Sequence, residues 1–223
     1  MALEVTTQDC TAVTDAELEE MADLCAEGPN PFSVGLLSKQ TELWVLSTTA
    51  RENGKLRGFA FCTLERIGGT PAVLIGLAGV VHSSRASTVL NGLMSELYHR
   101  ALMAFPDEDV VFGAQFNDPA GYDAYRELVD LMPRPDYKPN GEERAWGRRL
   151  AKRFSIGNSR YNDRGFKVTG DGSQASVLDY ESPNPEKISA DVAALFDDLD
   201  TSNGDTLVTH GWVSPERLVK LGS

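Results

Sequence analysis

The sequence predicts a mixed α/β (α+β) fold, an antiparallel meander plus a parallel strand pair flanked by helices, and three observations carry that expectation. Two tight-turn signals, Asn53-Gly54 and Gly68-Gly69-Thr70-Pro71, separate three β-rich runs. The third run, residues 72–81, is apolar at every position and so reads as a central strand covered on both faces. Strand and helix patterns then alternate, which implies a right-handed crossover and two parallel neighbours.

The elements follow in order. Thr14 with Glu17 three residues on has the capping-box spacing, and Leu18, Met21, Ala22 and Cys25 recur on one helical face after it. Gly28-Pro29-Asn30-Pro31 ends that helix because two prolines forbid its continuation. A short helix is expected over residues 32–39 and strands over 42–47, 56–67 and 72–82. Asn-Gly makes the first turn a hairpin because both residues tolerate positive φ.

Leu90, Leu93, Met94, Leu97, Ala101 and Phe105 give residues 85–105 one buried helical stripe. A strand over 110–114 and a helix over 119–131 come next, then a helix over 141–154 and a hairpin of 165–169 with 175–180. The chain closes with a helix over 185–199, a strand over 206–213 and a terminal helix capped by Ser214 with Pro215 in its first turn. Nothing in composition marks a domain boundary, so residues 1–223 are expected to form one domain.

Composition narrows the function classes. With 41% hydrophobic and 24% charged residues among 223, the chain reads as globular. Its longest apolar run, ten residues, falls short of the roughly 20 that a spanning helix needs, and the start has no basic and apolar leader pattern. A cytoplasmic protein without membrane contact is the expectation. A formal charge of −12 disfavours nucleic acid. The one basic stripe, Arg144, Arg148, Arg149, Lys152 and Arg153 around Trp146, reads as a solvated helix face.

Three cysteines, Cys10, Cys25 and Cys62, at unrelated spacings fit reduced thiols and no metal knuckle. Asp198, Asp200, Asn203 and Asp205 begin like a calcium loop, but Gly204 is out of position and no closing Glu follows, so no metal is expected. His99 and His210 have no chemical constellation around them.

Two segments carry a resemblance. Gly79-Val80-Val81-His82-Ser83-Ser84-Arg85-Ala86-Ser87-Thr88-Val89-Leu90 joins the central strand to the long helix, and Gln115-Phe116-Asn117-Asp118-Pro119-Ala120-Gly121-Tyr122-Asp123-Ala124-Tyr125 joins the next strand to its helix. With the element order, they make residues 14–131 resemble the GNAT acyltransferase superfamily; residues 132–223 match less well. The resemblance implies an acyl-CoA-dependent N-acyltransferase, with acetyl-CoA or another acyl-CoA as co-substrate and a small-molecule or peptide amine as acceptor.

It further implies that Val80 and Val81 pair with the pantetheine arm, that Arg85, Ala86, Ser87 and Thr88 hold the pyrophosphate at the helix N-terminus, and that Asn117 lies beside the thioester. Thr88 and Leu90 stand where the family carries small residues. Ser83, Ser84, Ser87 and Thr88 can serve phosphate, or the first two can cap the helix. Tyr125 is the candidate acid for the thiolate and His82 the candidate base, since His82 ends the central strand, where open α/β sheets place ligands. The missing glycines and the lack of an acid in residues 72–81 motivate an alternative, a catalytically inactive binding or regulatory module of the same fold. A homodimer through the C-terminal strand and helix is a further expectation.

Overall fold

A computed structural model describes residues 2–222. Its elements are β1 (Glu4–Asp9), α1 (Asp15–Cys25), α2 (Val34–Leu43), β2 (Leu46–Glu52), β3 (Lys55–Ile67), β4 (Thr70–Val80), α3 (Ala86–Ala104), β5 (Val110–Phe116), β6 (Val129–Met132), α4 (Gly141–Arg153), β7 (Tyr161–Asn162), β8 (Lys167–Val168), β9 (Leu178–Asp179), α5 (Ala190–Ala194), β10 (Thr206–Val213) and α6 (Pro215–Leu221). The sheet order is β1-β2-β3-β4-β5-β10-β8-β7, with β6 on β10 and β9 on β4. The strand pairs of β1 to β4 are antiparallel and β4–β5 is parallel, the mixed sheet expected.

Local chemistry explains the elements that form as expected. Thr14 accepts the Glu17 amide while Glu17 accepts the Thr14 amide, a reciprocal box that satisfies two otherwise orphaned donors of α1. Asn53 and Gly54 both take positive φ at the β2–β3 turn. Ser214 caps α6 by accepting the Arg217 amide.

Successive side chains of β4 face opposite ways, so Val73 and Ile75 pack with Leu93, Leu97 and Phe112 under α3, while Ala72 and Leu74 pack with Met21, Leu37 and Leu150 under α1, α2 and α4. All three cysteines are buried free thiols. Among the described residues no helix is long and apolar enough to cross a membrane.

Four expectations need correction. A first strand, β1, pairs with β2 from Glu4↔Arg51 to Asp9↔Leu46, and α2 runs on to Leu43 because Trp44 donates its amide and its indole N–H to Gln40, which delays β2 to Leu46. Residues 119–131 are not one helix: Asp118 caps a 3₁₀ segment, Pro119–Tyr125, and β6 then pairs with β10. Residues 165–180 make no hairpin with each other, since β8 lies between β7 and β10 while β9 joins β4. Residues 185–199 contain only a 3₁₀ turn and the five-residue α5.

Candidate functional site

The site begins where β4 and β5 part. They pair only through Ala72↔Val111, Val73↔Phe112 and Leu74↔Gly113. Beyond that point the edge of β4 belongs to β9, in parallel register Ala78↔Leu178 and Gly79↔Asp179, with the Ala78 amide donating to the Val177 carbonyl at 3.2 Å. The slot that the resemblance reserves for a pantetheine arm therefore holds residues 177–179. Val177 faces the α1 side of the sheet and Leu178 the α3 side, each buried.

A polar chain closes the slot. Asp179 is 0% exposed. Its Oδ1 accepts the Asn30 amide at 2.8 Å and the Asn30 side-chain amide at 3.4 Å, and its Oδ2 lies 3.1 Å from His82 Nε2. Asn30 in turn accepts from Asn117 Nδ2 at 2.7 Å. The ends of β4 and β5, the turn after α1 and β9 are thus tied through four side chains. The turn comes this close because residue 28 is glycine: a Cβ there would sit 2.6 Å from Asp179 Oδ2 and from the His82 ring. Burial, with the Asp179 carboxylate adding to it, pushes the neighbouring Cys25 thiol well up, so it stays protonated at neutral pH.

After Asp179 the chain heads for the start of α3. Tyr180 is buried and donates to Asp123 Oδ2 at 3.0 Å, with the Ser87 hydroxyl 3.2 Å away, and Ser182 donates to the same Asp123 oxygen. Outside this segment lies a cleft of about 690 Å³, lined by Glu27, His82, Asp118, Tyr180 and Glu181 among others. The His82 side chain is 20% exposed there, and its Nδ1 lies 3.5 Å from Glu181 Oε2. With carboxylates on both ring nitrogens and further acids on the walls, the cleft suits a cationic visitor better than an anionic one.

The residues singled out from sequence fall into four groups. His82 and Asn117 come together at the slot, as expected for neighbouring strand ends. Val80 is buried in β4 opposite Gly58, and the Val81 amide is spent on the Arg57 carbonyl at 2.8 Å, on the β3 side. At the start of α3, Arg85 pairs with Glu52, which also holds Arg57. The Ala86 amide donates to the Ser83 carbonyl and the Thr88 amide to the Arg85 carbonyl. Neither Ser83 nor Ser84 is the N-cap: Arg85 occupies that position without a side-chain cap bond, and the Ser83 hydroxyl only accepts the Arg85 amide at 3.3 Å.

Leu90 is 3% exposed and directed into the core, so it does not obstruct the helix start. Tyr125 needs correction. It is 0% exposed, sits in a 3₁₀ turn and packs on Phe116 with ring centroids 5.0 Å apart. Burial raises its phenol well above the usual range, a rise that the nearby Thr209 hydroxyl only partly offsets; that hydroxyl donates to the Ala114 carbonyl. A proton-transfer group must reach its substrate, and Tyr125 does not face the cleft.

Sequence reasoning missed Asp179, Tyr180, Asn30 and Gly28. The Gly28-to-Pro31 turn was legible as a helix stop, but nothing local ties it to a residue about 150 positions later. The acids of the calcium-like stretch serve the backbone: Asp200 accepts the Ser202 and Asn203 amides, and Asp205 accepts the Gly170 amide.

No family model matches the chain, and no curated protein does. Solved structures similar to it include an aminoglycoside 6'-acetyltransferase type Ii, at 16% identity over 59% of this chain and 87% of that one with a TM-score of 0.43. The ribosomal-protein-S18-alanine N-acetyltransferase from Escherichia coli is similar at 13% identity over 62% and 86%, TM-score 0.41. An acyl-CoA N-acyltransferase from Pseudomonas aeruginosa is similar at 21% identity over 51% and 80%, TM-score 0.38. At these TM-scores the likenesses carry no argument about activity, which has to come from the chain's own geometry.

Proposed function

We propose that this chain is a GNAT-type fold working as a binding or regulatory module, with its own residues 177–182 standing where an acyl-CoA would lie. The observation that carries the reading is the β4–β9 pairing in the slot, continued by Tyr180 to Ser87 at the start of α3.

A second reading, acyl-CoA-dependent N-acyl transfer to an amine, is favoured by two observations: Leu90 turns inward, and His82 opens onto an acidic cleft suited to an amine. Direct attack of the amine on the thioester needs no enzyme nucleophile, so His82 would only have to accept a proton. Isothermal titration with acetyl-CoA and a long-chain acyl-CoA separates the two. The module reading expects no saturable heat with either. Micromolar binding, with thioester consumed when amines are added, would sink it in favour of the transferase.

A further inference from the structure

The basic stripe on α4 is not one surface. Arg148 pairs with Asp163, Arg153 binds Glu65 at 2.8 Å, and Arg149 lies over the Trp146 ring with its guanidinium 4.9 Å from the centroid. Arg144 behaves differently. Its side-chain Nε is buried and has no hydrogen-bond partner, and among the described residues the side chain joins no ion pair.

Arg144 lines a pocket of about 510 Å³ together with Tyr137, Lys138, Pro139 and Arg164. The three cations come from three separate segments: the loop before α4, α4 itself and the turn between β7 and β8. None of the three is ion-paired among the described residues, and no acid lines the pocket. Two neighbouring carboxylates are occupied, Glu143 by the Tyr137 hydroxyl and the Asn140 amide, and Asp163 by Arg148. Arg134 stacks on the Tyr137 ring, its guanidinium 3.6 Å from the centroid, while it also pairs with Asp130 at 3.9 Å. In a chain of formal charge −12, uncompensated cations gathered at one point are a local exception.

We infer that this pocket binds a phosphate-bearing small molecule, with Arg144 and Arg164 as its principal donors and Lys138 as a point charge. A monocarboxylate neutralises too little of this charge; a phosphoryl group brings about two negative charges and three acceptor oxygens. Guanidinium groups match phosphate oxygens in bidentate geometry and lose little hydration on binding. The pocket shares no lining residue with the cleft at His82, so the inference is independent of the functional reading above.

The test is isothermal titration of the full chain with inorganic phosphate and with pyrophosphate, at ionic strength held constant with chloride. The inference expects saturable heat, tighter for pyrophosphate, weakened about tenfold or more in Arg144→Gln and in Arg164→Gln. Arg148→Gln, on the same helix but paired outside the pocket, should bind within about twofold of the unaltered chain. Thermal melts establish that each variant is folded. Absence of saturable heat in the unaltered chain, or equal binding by Arg144→Gln, overturns the inference; equal loss in all three variants also overturns it, because it signals non-specific attraction.

Discussion

The slot beside β4 and the pocket beside α4 treat polar groups in opposite ways. In the slot, Asp179 is hydrogen-bonded to Asn30 and His82, Tyr180 donates to Asp123, and the apolar side chains around them are buried. In the pocket, three cations line open volume and none is ion-paired among the described residues. A region whose bonds are all made within the chain is built for stability. One that leaves charge unspent is built for something that arrives later. The resemblance to GNAT proteins directs attention to the first region, and the uncompensated charge lies in the second.

Three substitutions test that contrast. Asp179→Ala should have the largest effect, because it strands the part-buried Asn30 amide and the His82 nitrogen in one step, and removing one partner of such a set costs up to roughly 3 kcal/mol. Urea unfolding would measure it; a loss near zero would mean that the segment is loosely held and would reopen the slot to ligands. Gly28→Ala should cost about 1–3 kcal/mol by overpacking against Asp179 and the His82 ring, read as a lower unfolding midpoint. Arg144→Gln should move stability by less than about 0.5 kcal/mol, since no ion pair is lost. A large destabilisation there would erase the contrast by making Arg144 a structural residue.

What could be read in the sequence was local. Thr14 and Glu17, Asn53 and Gly54, and Ser214 and Pro215 each carry their instruction within four residues, and the structure uses each as expected. The long stripe of α3 was legible for the same reason. The failures are elements whose state is set by a distant partner. β6 exists because β10 is beside it, although the same residues carry a helix-compatible pattern. β9 lies inside the strand expected over residues 175–180, but its partner is β4 and not residues 165–169, a pairing no local signal carries.

At the site, His82 and Asn117 could be placed because strand ends are predictable positions. Asp179 could not, because its role depends on a contact across 97 residues of chain. Tyr125 was misplaced because a 3₁₀ turn rotates its side chain differently from the α-helix assumed.

The two-residue strand β9 also bears on solubility. Where β4 leaves β5, the sheet would otherwise present a bare row of backbone donors and acceptors in its middle, bordered by Val80 and Leu77. Such an edge is a template for strands from other molecules. By seating its own residues there, the chain caps this adhesive seam, and a copy with residues 177–179 displaced would present a surface ready to recruit its neighbours into aggregates.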